Sequence, residues 1–231
     1  SMYSLALAAA IAAASKYLLA WRRRLIVNPA VAAAVTCYGL AYAGIGEIAG
    51  PTWWIASEEM LWPMIVVAVI VVAVLHRWPM TVAFLATSLV TMLLVQQFDD
   101  GPEIEMWLTS SPLFFVAAIM LPEPLTLPPN RLWRMVYAAG VGALMYCYQT
   151  FEISNAYTLA FTPEVALLIG SLFSFAVRLA TGGARRTVLD VTAMRPAADR
   201  THVLQTSARG GAPRFRPGQW TTVSAPRWSA P

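Results

Sequence analysis

One acidic residue, Glu123, stands in a setting that suits the binding of a cation or a cofactor. It lies in the run L-P-E-P-L-T at residues 121–126. The flanking prolines favour an extended or turn geometry, which would aim the carboxylate and nearby freed carbonyls at a cation or at a cofactor ring nitrogen. The alternative interpretation is an ion pair with Arg131 or Arg134 at the level of the lipid headgroups. The sequence leaves both interpretations open.

Two further polar residues stand beside prolines at predicted helix starts, Asn28 before Pro29 and Glu164 after Pro163. Asn28 is a ready N-cap, and the charge of Glu164 suits a helix N-terminus; a role at a functional site is the alternative for each. No nucleophile with a base and no metal-ligand spacing accompanies them, so we predict no catalytic residue, no metal site, no haem and no iron–sulfur cluster. Any catalysis would therefore depend on a cofactor.

Charged residues alternate in sign from one end of an apolar segment to the next. In a chain that crosses a bilayer repeatedly, the Lys and Arg residues of short loops lie on the cytoplasmic side. The alternation therefore predicts a multi-pass protein of the bacterial inner (cytoplasmic) membrane, with its N-terminus outside and its C-terminus in the cytoplasm. The basic ends carry Lys16, Arg22, Arg23, Arg24, Arg77, Arg131, Arg134 and Arg178. The acidic ends carry Glu47, Glu58, Glu59, Asp99, Asp100, Glu103, Glu105, Glu152 and Glu164.

The composition also indicates a membrane protein. Hydrophobic residues make up 58% of the chain and charged residues 12%, whereas a soluble domain averages about 45 to 50% and about 25%. A spanning helix needs about 20 mostly apolar residues, and seven stretches approach this length. They predict an all-α polytopic fold of about seven transmembrane helices, some of them broken by proline. The stretches are residues 4–21, 25–46, 60–76, 78–98, 106–121, 132–151 and 162–180.

The fifth stretch, residues 106–121, is the shortest and contains three hydroxyl residues followed by Pro112. This pattern predicts a partial or broken helix. Membrane proteins tolerate such a helix only where protein surrounds it or where it lines a cavity.

The composition changes abruptly at residues 182–183, where two glycines precede an arginine-rich tail. Residues 187–191 and 201–205 alternate as strands do, and residues 216–223 suggest a turn entering another strand. The pattern predicts the opening of a soluble β domain; a basic tail lying on anionic lipid is the alternative. We therefore expect a transmembrane domain at residues 1–181 and a cytoplasmic tail with a short, incomplete β segment at residues 182–231.

The surroundings of Glu123 resemble the late transmembrane region of the NqrB/RnfD family, the membrane flavoprotein subunits of sodium-pumping NADH:quinone reductase and of the Rnf complex. In that family a helix ends in a D-P-x-T-S-P loop, and residues 123–128 of this chain read E-P-L-T-L-P, which keeps the acid, both prolines and Thr126. Asn28 opens an N-P-A helix start after a basic loop, and T-P-E-V-A-L-L, which includes Glu164, resembles the family's final helix. The likeness covers most of residues 15–180.

The resemblance implies a cofactor-binding or ion-path role for Glu123, Thr126, Glu164 and Asn28, and a non-covalent flavin, either FMN or FAD. Covalent FMN is not expected, because the family's S-G-A-T type motif is missing and residues 85–88 read L-A-T-S.

The tail carries a second resemblance. F-R-P-G-Q-W at residues 215–220 is similar to the start of ferredoxin-reductase-type FAD domains, which implies a FAD-domain motif formed by Arg216, Pro217, Gly218 and Gln219. The R-x-Y-[ST] strand that grips the flavin and the nicotinamide half do not occur before Pro231. The tail is therefore expected to be the start of a truncated FAD-binding β-barrel.

Together these patterns favour the membrane domain of a redox flavoprotein that passes electrons between a cytoplasmic flavin and nicotinamide reductase module and a membrane acceptor. Ion coupling is left open. The chain would then be part of an oxidoreductase and inactive by itself, and its expected partners are the lipid bilayer and the reductase module or other redox subunits, with no nucleic acid. Two alternatives remain: a transporter or channel for a small solute or ion, which proline-interrupted helices also suit, and a membrane anchor for a reductase domain.

Overall fold

The computed structural model describes most of the chain, and the helices and strands below are those of its described residues. These are residues 2–21, 24–46, 48, 50, 56–98, 103–147, 150–154, 157–160, 162–181, 189–198 and 201–208. The chain divides into two compact units, Ser1–Gly183 and Ala184–Pro231, and each is described by itself. We call the first unit the helical domain.

Helices dominate the helical domain, and short antiparallel hairpins connect some of them. The helices are α1 (Met2–Leu18), α2 (Pro29–Tyr42), α3 (Glu58–Leu75), α4 (Trp78–Phe98), α5 (Ile104–Ser110), α6 (Leu113–Phe115), a π-helix (Val116–Met120), α7 (Arg131–Met145) and α8 (Pro163–Ala180). The hairpins pair β1 (Ala20–Trp21) with β2 (Arg24–Leu25), and β3 (Thr150–Ser154) with β4 (Tyr157–Ala160).

Each of the seven predicted stretches contains a helix, and the predicted fold class of a largely helical chain with a small β segment is confirmed. Three helices are long and apolar enough to cross a membrane: Glu58–Leu75, Trp78–Gln97 and Pro163–Ala180. Two other apolar helices, Met2–Leu18 and Pro29–Tyr42, are shorter. The number of seven spans stays a prediction.

Two predicted stretches exceed their helices by five residues or more. In the stretch 25–46, α2 begins only at Pro29, whose missing N–H is tolerated in a first helical turn. It ends before Gly44, whose φ of 65° favours glycine. In the stretch 132–151, α7 ends at Met145 and the chain enters strand β3. The segment T-F-E-I-S of β3 alternates apolar and polar residues, which is the strand period.

The fifth stretch is broken, as its hydroxyl and proline pattern predicts. Helix α5 ends at Ser110, and the chain restarts after Pro112 as one α turn followed by the π-helix. The wider π turn is closed by a hydrogen bond of 2.9 Å from the Leu121 amide to the Val116 carbonyl. At the break, the hydroxyls of Ser111 and Tyr146 lie 2.6 Å apart. This bond ties the interrupted segment to the end of α7.

A two-residue turn joins α3 to α4 and fixes Arg77 at the start of α4. His76 adopts a left-handed conformation with φ of 53°. Its amide donates to the Ala73 carbonyl, and the Arg77 amide donates to the Val72 carbonyl. These two bonds form a Schellman motif, which satisfies carbonyls that the end of α3 would otherwise leave unpaired.

Two glycines allow α7 to approach its neighbours closely. A Cβ atom at Gly142 would lie 2.5 Å from the Thr87 Oγ1 atom and 2.6 Å from the Phe84 carbonyl oxygen, both on α4. A Cβ atom at Gly170 of α8 would lie 2.5 Å from a Val141 methyl group. Close backbone approach at small residues is a general way to pack membrane helices, so α4, α7 and α8 form one tightly packed group.

The buried core lies between α2, α4, α7, α8 and the segment around the π-helix. Its most enclosed apolar side chains are Phe84, Met92, Val116, Leu121, Val141, Ala166 and Leu167. By contrast, the outward faces of α3 and α4 expose large apolar side chains, including Val66, Ile70, Val74, Val82, Val90 and Leu94. A soluble protein rarely exposes so continuous an apolar surface, and a lipid bilayer would cover it.

The described part of the second unit is an antiparallel hairpin of β5 (Leu189–Ala198) and β6 (Thr201–Ala208). The two strands predicted near residues 187–191 and 201–205 are therefore present. The register shifts between Val191 and Ala193 and again between Pro196 and Ala198. The third predicted strand, at residues 216–223, lies outside the described residues.

Replacing Gly142 by alanine should destabilise the helical domain. The added methyl group meets backbone and side-chain atoms of α4 inside 3 Å, and overpacking of this kind costs about 1–3 kcal/mol. Gly140→Ala is the matched control, because a Cβ atom there meets nothing within 4 Å. Thermal unfolding in detergent micelles should show a lower midpoint for Gly142→Ala only. Equal midpoints for both variants would contradict the close α4–α7 contact.

Candidate functional site

The candidate site is built on the loop between the π-helix and α7, residues 121–130, which we call the site loop. Although it is irregular, much of it is buried: the side chains of Leu121, Thr126, Leu127 and Pro128 are almost completely enclosed. Glu123 is half-buried. Backbone that is neither helix nor strand needs other partners for its polar groups when it lies inside a protein.

Three of the residues predicted for the site are hydrogen-bonded to one another. The Asn28 Nδ2 atom donates to the Glu123 Oε2 atom at 2.7 Å. The Thr126 Oγ1 atom donates to the same oxygen at 3.1 Å. Because Asn28 and Glu123 are 95 residues apart, this contact brings the start of α2 to the site loop. It orients the carboxylate with two neutral donors.

Asn28 also caps α2, as predicted from its position before Pro29. Its Oδ1 atom accepts hydrogen bonds from the amides of Ala30 at 2.8 Å and Val31 at 3.3 Å. The cap holds the side-chain amide in one orientation. Its Nδ2 atom consequently points at Glu123, so the two interpretations of Asn28, helix cap and site residue, apply to the same side chain.

Two arginines, Arg131 and Arg134, were the alternative partners of Glu123. Arg134 contacts other groups, and Arg131 is exposed to solvent. The Arg134 Nε atom donates to the Pro128 carbonyl at 2.9 Å, and its Nη2 atom donates to the Pro129 carbonyl at 3.3 Å. Arg131 is exposed. Arg134 therefore fixes the site loop by its backbone, and the Glu123 carboxylate takes Asn28 and Thr126 as partners.

Two residues of α8 hold the site loop, and neither was predicted from the sequence as a site residue. The Ser174 Oγ atom donates to the Thr126 carbonyl. Arg178, only 8% exposed, donates from Nη1 to the Leu125 carbonyl and from Nη2 to the Leu25 carbonyl, both at 2.9 Å. The only signal in the sequence is their spacing, since residues four apart lie on the same face of a helix.

Side chains therefore satisfy most of the carbonyl groups of residues 125–129 in the site loop. The acceptors are the carbonyls of Leu125, Thr126, Pro128 and Pro129, and the donors come from α7 and α8. The Thr126 amide donates to the Glu123 carbonyl at 3.4 Å and closes the turn. These contacts fix the backbone on which Glu123 is carried.

Glu164, the fourth predicted site residue, lies elsewhere. It occupies the first turn of α8, as predicted, and is 4% exposed. The Oγ1 atom of Thr162 caps this helix by accepting from the Val165 amide at 3.4 Å. Ten residues separate Glu164 from Ser174, which is about 15 Å along an α-helix. The structure therefore does not bring Glu164 to Glu123.

The alternation of charge along the sequence corresponds to two separate ends of the helical domain. At one end, Arg134 and Arg178 both donate hydrogen bonds to the site loop, and Arg77 immediately precedes α4, which packs against α7. We call this the basic end. At the other end, an open cleft of about 830 Å³ is lined by Glu58, Glu59, Trp62, Glu105 and neighbouring residues. We call this the acidic end.

Several residues predicted from the sequence lie outside the described part of the chain. Arg22, Arg23, Glu47, Asp99 and Asp100 lie outside the described residues, as does the proposed FAD motif of Arg216, Pro217, Gly218 and Gln219. Among the residues that the structure does describe, no group of three or more His, Cys, Asp or Glu side chains is placed to hold a metal ion.

No protein-family model matches the chain, and no curated protein or solved structure is significantly similar to it. The resemblance to the NqrB/RnfD family therefore stays a prediction that depends on the motifs quoted above.

The chemistry of the site suits one feature of a flavin. The flavin ring system carries an N–H donor, and a carboxylate is an acceptor with two oxygens. Both hydrogen bonds described for the Glu123 carboxylate fall on Oε2, so Oε1 is left for a ligand. The cleft at the acidic end does not suit a flavin, because its three carboxylates would repel the flavin phosphate.

Substitution of Asn28 should separate its two roles. Asn28→Ser keeps a good helix cap but removes the donor to Glu123, whereas Asn28→Ala removes both. We expect the alanine variant to be less stable than the serine variant by about 1 kcal/mol, and both to be less stable than the original chain. Thermal unfolding in micelles measures the order. A serine variant as stable as the original chain would contradict the contact with Glu123.

Arg178→Met should destabilise the helical domain, because the partly buried contacts of the Leu125 and Leu25 carbonyls lose their donor. An unsatisfied buried polar group costs about 1–3 kcal/mol. Arg178→Lys should recover only part of the lost stability. Its ammonium group still donates hydrogen bonds, but it lacks the planar fork that reaches both carbonyls. Arg131→Met, at an exposed position of the same end, should change the unfolding midpoint little. A similar change in the Arg131 and Arg178 variants would contradict this account.

Proposed function

We propose that the chain forms the membrane domain of a redox protein of the NqrB/RnfD type. Such a domain passes electrons between a cytoplasmic flavin and nicotinamide module and an acceptor in or across the membrane. The observation that supports this proposal is the hydrogen bond between Asn28 and Glu123. The two residues belong to two separate motifs that resemble the family, and neither motif predicts the position of the other.

The proposal includes an orientation in the bacterial inner membrane. The basic end would face the cytoplasm, as the distribution of Lys and Arg favours, and the N-terminus would lie outside. The Glu123 site would then stand on the side from which a cytoplasmic reductase delivers electrons. The C-terminal extension would lie in the same compartment.

In this proposal Glu123 acts as an oriented acceptor. Asn28 and Thr126 donate to Oε2. The other oxygen, Oε1, accepts a hydrogen bond from the N–H group of the redox group, or it accepts a proton that accompanies the electron. A bound flavin would supply the electron chemistry itself. Arg134, Ser174 and Arg178 keep the acceptor in place by holding the backbone of the site loop.

A second candidate function is a transporter for a small solute or ion. The interruption of the fifth stretch at Ser111 and Pro112 favours it, because discontinuous helices form many transporter sites. Flux into liposomes without any redox substrate would support this candidate.

The test of the redox proposal is NADH-dependent reduction of a short-chain ubiquinone by membranes that contain the full-length gene product. Glu123→Gln should lower the rate about ten-fold, which corresponds to an activation free energy higher by about 1.4 kcal/mol. The amide keeps the shape of the side chain but loses its charge. Glu105→Gln, at the acidic end, should leave the rate unchanged. If membranes with the full-length protein reduce quinone no faster than membranes without it, the proposal is wrong.

A further inference from the structure

Two arginines at the starts of neighbouring helices lie at the basic end. Arg77 immediately precedes α4, and Arg134 lies in the first turns of α7, which packs against α4. Their positive charges repel each other. Within the described part of the helical domain, Glu123 supplies the only carboxylate at this end, and its described hydrogen bonds come from Asn28 and Thr126. The arginine pair is therefore not neutralised by the described residues.

Helix dipoles increase the positive potential at the same place. Helices α4 and α7 both begin at the basic end, and neither has an acidic residue in its first turn. The N-terminus of a helix carries roughly half a positive charge. Arginines at two adjacent N-termini thus work against the dipoles, and an anion between them would remove this repulsion.

The guanidinium group of Arg134 is already oriented for a ligand. Its Nε and Nη2 atoms donate to the carbonyls of Pro128 and Pro129, which fixes the side chain and leaves Nη1 for another acceptor. An oriented guanidinium loses little further entropy when it binds an anion. Arg77 is only partly buried, so it can reach the same anion from the side of α4.

The surroundings favour a lipid as the source of the anion. Trp78, next to Arg77, is 46% exposed, and Leu132, next to Arg131, is 67% exposed. Further along the two helices, Val82, Met135 and Val136 are also exposed apolar residues. Tryptophan beside arginine is typical of the headgroup level, and the apolar side chains beyond offer a surface for acyl chains.

We propose that Arg77 and Arg134 bind the phosphate of an anionic phospholipid, whose acyl chains lie along the exposed apolar side chains of α4 and α7. Arginine forms strong, charge-assisted hydrogen bonds with phosphate, and basic pockets between helices on the cytoplasmic side are suited to anionic headgroups. This site is separate from the acceptor role of Glu123 and does not depend on the redox proposal.

The test is a titration of the whole chain in detergent micelles with phosphatidylglycerol, with the unfolding midpoint as the readout. Phosphatidylglycerol should raise the midpoint more than phosphatidylcholine does, and inorganic phosphate should not raise it. Arg77→Gln, which keeps the contacts of Arg134 with the site loop, should weaken the apparent affinity for phosphatidylglycerol about ten-fold. Arg131→Gln removes the same charge at the same end and should bind as the original chain does.

Three results would overturn the proposal: equal midpoints with both lipids, the same effect from inorganic phosphate alone, or equal weakening in the Arg77 and Arg131 variants. If Arg77→Gln does not fold, native mass spectrometry of the original chain decides. Retention of phosphatidylglycerol in preference to phosphatidylcholine supports the site, and equal retention of the two lipids overturns it.

Discussion

The structure depends on one constraint: much of the irregular site loop is enclosed by the protein, so its carbonyl groups need donors from elsewhere in the chain. Arg134 of α7 and Ser174 and Arg178 of α8 supply these donors. Arg178 also reaches the Leu25 carbonyl, which ties the site loop to the first hairpin. In the apolar surroundings of this domain, a carbonyl group without a hydrogen-bond donor lowers the stability of the fold. The need to supply these donors fixes how α7, α8 and the loops are placed.

This arrangement gives Glu123 its chemical character. Its backbone is held by the carbonyl contacts of the loop, and its carboxylate is held by Asn28 and Thr126. Neutral donors orient the group without cancelling its charge, whereas a pair with Arg134 would have neutralised it. The cap of α2 orients Asn28 in turn. This oriented acceptor at the basic end is the feature on which the proposed function depends.

Much of the fold could be predicted from sequence, because hydrophobic length and proline position act locally. The break near Pro112 and the cap at Asn28 follow from the residues themselves. The contacts of Ser174 and Arg178 could not be predicted, because a bond from a side chain to a distant carbonyl leaves no pattern in the sequence. Residues 150–154 alternate as a strand does, but the apolar residues around them resemble a continuation of the preceding helix. The helix predicted at residues 132–151 was therefore too long.

The most direct test of this account is a double-mutant cycle on the unfolding free energy of the helical domain, with Asn28→Ser and Glu123→Ala. The account predicts a coupling energy of about 1–2 kcal/mol, because each change removes the same hydrogen bond. A parallel cycle with Asn28→Ser and Glu105→Ala, at opposite ends of the domain, should show no coupling. Simple additivity of the Asn28 and Glu123 changes would contradict the central contact.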